Sequence, residues 1–357
     1  MAENEIRVDH ERLQAFVTEI FEKAGLKPAD ATFHAKALVD TNLWGVDSHG
    51  VLRVPAYVRR MRSGAVNPRP NIQITRGSLG LEVLDGDDGP GFLVGRDAML
   101  RAVELAKAYN LGAVGAIHSN HFGATAIYTR LAAEQGLIGL AMTNVVPNVV
   151  APGGSKPVVG NNPLSIAIPT YGEFPFVLDM SLSAVAGGKL LLASKKGEKI
   201  PLDWATDKDG RPTDDPDEAF AGFLLPMGGY KGLGLAYAVD ILCGVITGGA
   251  FLQGMKGMYK YPNDPSLTGH FMIALNVEAL LGREEMQTRM AQFAQTISSS
   301  PMWDEGAQML LPGEIEHRTA LRRRAEGIPL PANLYEELLS LGDELGAESR
   351  LSVLRGQ

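Results

Sequence analysis

The chain has 357 residues, 45% of them hydrophobic and 21% charged, and a net charge of −8. That acidic balance excludes a bulk attraction for nucleic-acid phosphates or anionic lipid. The lone Cys243 excludes an internal disulfide framework and fits a reducing, cytoplasmic setting. The opening Met1-Ala2-Glu3-Asn4-Glu5 is polar and acidic, without the apolar region of a secretory signal.

Asp9 is placed to cap a first helix whose Leu13, Phe16, Val17, Ile20 and Phe21 share one face, and Gly25 ends it. Pro28 opens a second helix that runs to Leu43-Trp44 and stops at Gly45. The turn Asp47-Ser48-His49-Gly50 follows, and Pro55 belongs to the first turn of a third helix reaching about Arg62. A helix that starts early puts His49, Arg53 and Tyr57 on one face at four-residue spacing. If Pro55 delays it, His49 sits on the loop and the three still converge.

From Leu81 the pattern alternates. A strand is predicted at Leu81 to Leu84, a helix at Leu93 to Ala108, a strand at Gly112 to Ile117, a helix at Ala124 to Glu134 and a strand at Leu137 to Met142. A Gly/Pro/Asn loop from Val146 to Pro163 precedes strands at Leu164 to Ile168 and Phe176 to Leu178. The Asp-rich segment from Lys195 to Pro216 reads as a surface excursion. Gly232 to Phe251 is apolar over about a membrane's thickness, but Asp240 and four glycines interrupt it, so it is predicted to be a buried helix. A strand at His270 to Leu275, a helix from about Arg283 to Thr296 and a charged helical C-terminal region after Pro312, ending in a helix over Leu334 to Leu345, complete the pattern. The fold class is α/β (mixed), a mixed sheet with helical N- and C-terminal parts. The expected division is 1–75 plus 315–357, a small α/β insertion at 76–122, and a sheet domain at 123–314.

Ligands of α/β sheets collect beyond strand ends. Three predicted strand ends here carry polar groups: His118-Ser119-Asn120-His121, Thr143-Asn144 and Asp179-Met180-Ser181. A neutral imidazole exchanges a proton near physiological pH, and an arginine fork matches a carboxylate. His49 and His121 are therefore candidate acid/base groups and Arg53 a candidate carboxylate clamp, with Ser48, Tyr57 and Asn144 as further polar wall. A dinucleotide fingerprint is missing: Gly89-Pro90-Gly91 with Gly95 is one residue too long, and Pro90 lacks a donor. Gly228-Gly229-Tyr230-Lys231-Gly232 opens a predicted helix, where amides and the Lys231 ammonium can hold a phosphate. No metal centre is expected, since His118 and His121 lack a third ligand at suggestive spacing.

Taken together, these segments resemble the type-2 malate/L-lactate dehydrogenase family, which includes ureidoglycolate dehydrogenase, diketogulonate reductase and cyclic imino acid reductases. The resemblance is carried, in family order, by Asp47-Ser48-His49-Gly50, His118 to Gly123, Leu178-Asp179-Met180-Ser181, Gly228 to Gly232, Gly269-His270-Phe271 and Leu311-Pro312-Gly313-Glu314. It implies a non-Rossmann dinucleotide fold, NAD or NADP as cofactor, a small 2-hydroxy or 2-oxo acid (or cyclic imino acid) as substrate, and a homodimer. By the same resemblance His49 or His121 is the acid/base, Ser48 assists, Arg53 holds the substrate carboxylate, and Asp179, Met180, Ser181, Tyr230, Lys231, Pro312, Gly313 and Glu314 hold the cofactor. One departure is Asn161, which stands where the family has a Thr before Asn-Pro.

Overall fold

The computed structural model describes residues 5–354, so Met1 to Asn4 of the polar start lie outside the described residues. In chain order β1 (Glu5–Val8) leads to α1 (His10–Lys23), α2 (Pro28–Leu43), two single 3-10 turns at Asp47–His49 and Val51–Arg53, and α3 (Val54–Arg62). Asp9 does cap α1, accepting from the Arg12 N–H at 2.9 Å, and Leu13, Phe16, Val17, Ile20 and Phe21 are buried. Next come β2 (Gln73–Ser78), β3 (Leu81–Asp85), α4 (Gly91–Tyr109), β4 (Leu111–Ser119), α5 (Ala126–Ala133), β5 (Ile138–Thr143), β6 (Val149–Val150), β7 (Pro157–Val159), β8 (Leu164–Ile168) and β9 (Phe176–Met180). The remainder is α6 (Gly187–Lys196), β10 (Ala205–Thr206), α7 (Pro216–Ala221), β11 (Phe223–Leu224), α8 (Tyr230–Asp240), β12 (Thr268–Leu275), α9 (Arg283–Ser298), α10 (Glu314–Glu326), β13 (Ile328–Pro331) and α11 (Ala332–Leu345).

The main sheet has seven strands in the order β2-β3-β4-β12-β5-β8-β9. Only β3 and β4 pair in parallel; the other neighbours are antiparallel. The sheet draws strands from both the 76–122 and the 123–314 segments. Its central strand β12 alternates as a strand covered on both faces must. Met272 and Ala274 join the large core shared with α1, α2, α4 and α11, while Phe271 and Ile273 join a second core built on α8. β1 and β13 pair antiparallel and tie the two ends of the chain together.

Two expectations are corrected. The apolar stretch after Gly232 is not one buried helix: α8 ends at Asp240, a π-helical turn spans Ile241–Val245, and Leu235, Tyr237, Ile241, Val245 and Ile246 are exposed along one side. The segment from Lys195 to Pro216 is more than a surface excursion, because Ile200 and Ala205 pack with α6 and α7 in a small core of their own. Among the described residues no helix is long and apolar enough to cross a membrane.

Candidate active site

The register of the main sheet brings several strand ends together. Ser119 at the end of β4 faces Thr268 of β12, His270 faces Thr143 at the end of β5, and Leu164 at the start of β8 faces Met180 at the end of β9. The three polar strand ends singled out from the sequence thus share one end of the sheet. His270 braces it: Nδ1 lies 2.8 Å from the Thr143 hydroxyl and Nε2 lies 2.7 Å from the Ser119 hydroxyl. Its ring stacks on Phe122 at 4.4 Å, next to His121. Burial holds the His270 ring neutral, its pKa lowered to about 3.

The Asp47-Ser48-His49-Gly50 turn meets this end from the helical side. Its shape has a local cause. Asp47 takes both terminal nitrogens of Arg323 on α10, at 2.6 and 2.9 Å, and a 2.6 Å bond from the Asn42 side-chain amide. The Asn42 side-chain oxygen Oδ1 in turn accepts the Val51 N–H at 2.8 Å. Gly50 is required by that closeness, since a Cβ there would stand 2.1 Å from the Asn42 Oδ1. His49 therefore ends a 3-10 turn and Arg53 ends the next, with α3 delayed to Val54 as Pro55 allows.

The two histidine turns converge. The rings of His49 and His121 are 5.8 Å apart and nearly parallel. His49 Nδ1 lies 2.8 Å from the Ser48 hydroxyl, and its Nε2 has no hydrogen-bond partner among the described residues. Its pKa is lowered to about 4, first by burial and then by the Arg53 cation. The His121 Nδ1 lies 2.6 Å from the Tyr57 hydroxyl and accepts the Gly123 N–H at 3.4 Å. An N–H can only donate, so Nδ1 is an acceptor and neutral His121 carries its proton on Nε2. Burial, then the charges of His49 and Arg53, hold His121 well below the usual imidazole range.

Arg53 donates Nε to the Ser48 carbonyl at 2.7 Å, which fixes the guanidinium and leaves its two terminal nitrogens without hydrogen bonds among the described residues. That is the geometry for a bidentate carboxylate. Tyr57 is buried and its hydroxyl is committed to His121, so it positions the imidazole. The Asn144 side chain is taken up by contacts within the fold. It is 1% exposed, its amide donates to Asp240 and the Ala250 carbonyl at 3.0 and 2.9 Å, and its oxygen accepts the Gly269 N–H at 2.8 Å. It joins β5 to α8 and β12.

The remaining candidates line up along β9. Pro312 accepts the Val177 N–H at 3.0 Å, placing Pro312-Gly313-Glu314 against the start of the strand. Gly313 is left-handed (φ 95°), and a Cβ would stand 3.0 Å from the Pro175 carbonyl. Glu314 accepts the Leu311 N–H at 3.2 Å. At the other end Asp179 accepts the Ala126 N–H at 2.8 Å; desolvation raises its carboxyl to about 6. The Ser181 and Ser183 hydroxyls lie 3.1 Å apart, and the Leu182 carbonyl accepts the Met227 N–H at 2.9 Å. Just beyond Met227, Gly228 and Gly229 are both left-handed and turn the chain into α8, with Tyr230 75% exposed and Lys231 also open to solvent. Met180 stands between these points at the end of β9.

Three residues with roles here were missed. Arg60 lies in Arg59-Arg60-Met61-Arg62, which reads as a solvated face, yet is 3% exposed. His270 sits within a matched motif but its brace depends on cross-strand register. Arg323 is 276 positions from Asp47, a pairing no local pattern carries.

Comparison with known proteins fits this geometry. The model of the malate/L-lactate dehydrogenase family matches residues 8–339. The chain is 37% identical over 336 residues to the L-sulfolactate dehydrogenase of Methanocaldococcus jannaschii, covering 94% of this chain and 96% of that protein. A solved structure of the sulfolactate dehydrogenase from that organism superposes with a TM-score of 0.90 at 37% identity, covering 96% of this chain and 98% of that one. The malate dehydrogenase of Pyrococcus horikoshii is 37% identical over 354 residues, 97% of each protein. The ureidoglycolate dehydrogenase (NAD(+)) of Escherichia coli K12 is 30% identical over 335 residues, 94% of this chain and 95% of that one. On a match of this extent, the chain belongs to the malate/L-lactate dehydrogenase family and is an oxidoreductase.

Proposed function

We propose that this enzyme moves a hydride between a nicotinamide dinucleotide, NAD or NADP, and the carbon beside the carboxylate of a small malate- or lactate-like 2-hydroxy or 2-oxo acid. The observation that carries the reading is the cluster of Arg53, His49 and His121, with the Arg53 fork unpartnered and two imidazoles 5.8 Å apart beside it. Arg53 holds the substrate carboxylate. His121, fixed by Tyr57 as an Nε2–H donor, supports the oxygen on the reacting carbon. His49 exchanges the proton at that oxygen, taking it when the alcohol is oxidised and giving it when the oxo acid is reduced, while Ser48 holds its other nitrogen. Acid/base transfer of this kind contributes about 10²–10⁴-fold to rate, and fixing the carboxylate contributes through orientation.

The segments along β9 suit a dinucleotide. The N-terminus of α8 offers unpaired amides behind two left-handed glycines, with exposed Lys231 beside them, the donor set an anionic phosphate requires. Pro312-Gly313-Glu314 and Asp179-Met180-Ser181 sit at the two ends of the same strand. Hydride donation or acceptance at the nicotinamide ring is the chemistry the dinucleotide supplies when bound.

A homodimer completes this reading. α9 has no buried residue, although Phe293 is exposed on it and Trp303 follows, and the apolar side of α8 and its π-helical extension is open. Exposed apolar residues on these elements support an interface here. Light scattering on the purified protein is expected to give twice the chain mass; a monomer at micromolar concentration contradicts the dimer. The buried free thiol of Cys243 fits a reducing cytoplasm.

The function is tested by following nicotinamide absorbance with pyruvate, oxaloacetate and cyclic imino acids, using NADH and NADPH, for the wild type and Arg53→Ala. Turnover with at least one 2-oxo acid is expected, with KM about 10- to 100-fold higher in Arg53→Ala. Turnover restricted to imino acids, or none together with no nucleotide binding, contradicts the proposal.

A further inference from the structure

We infer that Tyr259 is a substrate-binding wall of the carboxylate clamp, and that Arg60 is the positioning residue that seats its loop; this rests on the reading of Arg53 given above. The guanidinium of Arg53 lies 5.6 Å from the centroid of the Tyr259 ring, within cation–π range. Arg53 is thus fixed from two sides: its Nε is bound by the Ser48 carbonyl and its face is covered by an aromatic ring. What remains free is the edge of the fork that a carboxylate uses. A ring over the cation also excludes water from the ion pair, which strengthens the attraction. Tyr259 itself is 67% exposed, so its ring meets Arg53 without being absorbed into the core.

A loop that holds an exposed ring in register needs an anchor, and Arg60 supplies it. From α3 its guanidinium donates to the carbonyls of Tyr261, Pro262 and Asp264 at 3.1, 3.3 and 2.8 Å, and to the Ser266 hydroxyl at 3.1 Å. It also donates to Asn120 Oδ1 at 3.0 Å, and the Ser266 N–H meets the same oxygen at 3.2 Å. Asn120 precedes His121, and its amide is held by the Asp88 and Gly89 carbonyls at 2.8 and 3.0 Å. One buried cation therefore ties together α3, the turn that carries His121, and the loop that carries Tyr259. Beneath the loop Met258 closes a cavity of about 10 Å³ lined by His34, Tyr57, Arg60 and His121, so the seat of the loop is the back wall of the site. The loop is bracketed by Leu252 and Leu267, both left-handed (φ 48° and 57°), a backbone state leucine avoids unless its surroundings impose it.

The test compares Tyr259→Ala, Tyr259→Phe, Arg60→Met and Arg53→Ala in steady-state kinetics with the best 2-oxo acid of the panel. Oxalate is also titrated calorimetrically against the nucleotide-saturated protein. Tyr259→Ala is expected to raise both the oxo-acid KM and the oxalate Kd about 3- to 10-fold, with kcat changed less than about twofold. Tyr259→Phe keeps the ring and is expected to shift KM and Kd less than Tyr259→Ala does. Arg60→Met is expected to reproduce the KM change and to speed amide exchange in residues 255–266 while leaving 113–117, in β4, unchanged. If Arg53→Ala raises KM and Kd but Tyr259→Ala leaves both at wild-type values, the inference is overturned and the clamp stands. If Arg53→Ala leaves both unchanged, the clamp itself falls, and Tyr259 with it. Should Arg60→Met fail to fold, the exposed Tyr259 variants still decide the matter.

Discussion

A proton on His49 repels one on His121, and both lie beside the Arg53 cation, so the site is neutral at its imidazoles and positive at its clamp. In the proposed mechanism neutral His49 accepts the alcohol proton, and hydroxy-acid oxidation is then expected to lose kcat/KM only in acid, with a limb near 4. Because Arg53 is one cause of that low value, Arg53→Ala is expected to move the His49 midpoint upward, as read by NMR titration of the ring in the free protein. A wild-type midpoint at the ordinary imidazole value contradicts this. Tyr57 acts one step behind. Tyr57→Phe removes the hydroxyl from His121 Nδ1 but leaves the Gly123 N–H, so kcat is expected to fall about 10-fold with little change in KM.

At the scale of elements, the histidine turn is held by contacts distant in sequence. Gly50→Ala drives a methyl into the Asn42 side chain, which must move and release Val51. The expected result is about a 10²-fold loss in kcat/KM, because a displacement of about 1 Å at the site has that effect. A Gly50→Ala enzyme with wild-type kinetics contradicts this account of the turn. The same comparison explains what could be read beforehand. α1, α2, α4, β4, β5, β8 and β12 were visible because each carries a long apolar period or a clear cap, as Asp9 and Pro28 show. β6, β7, β10 and β11 were not, being only two or three residues long with pairing that depends on distant partners. In the site His49, Arg53, Tyr57 and His121 stood out as residue types next to glycine turns. For Asn144 the sequence leaves two readings, because a polar residue at a strand end looks the same whether it faces a ligand or ties strands together. Arg60 and Tyr259 were hidden because their roles arise from where a loop lands.

For the whole molecule, four histidines, His34, His49, His121 and His270, have pKa values pushed below the ordinary imidazole value, chiefly by burial. His34 is the extreme case: it is 1% exposed, stacked between Phe21 and Phe92, with neither ring nitrogen hydrogen-bonded, and its pKa is lowered to about 3. The unfolded chain takes up these protons near pH 6.5, whereas in the folded protein His34, His49 and His270 do so only at about 3 to 4. Between those values the unfolded state binds more protons, so stability is fully present above pH 6.5 and is lost as pH falls through that window. Each such group contributes up to about 1.4 kcal/mol per pH unit, with the fully buried His34 and His270 dominating. Chemical denaturation is expected to show a marked loss of stability from pH 7 to 4.5, and a shallower one in His34→Leu. Equal stability at both values contradicts this.

The most direct test of the central claim is kcat/KM for 2-oxo-acid reduction in His49→Ala, measured beside nucleotide affinity. The account predicts a fall of about 10²–10⁴-fold with nucleotide binding unchanged; kinetics equal to the wild type would contradict it.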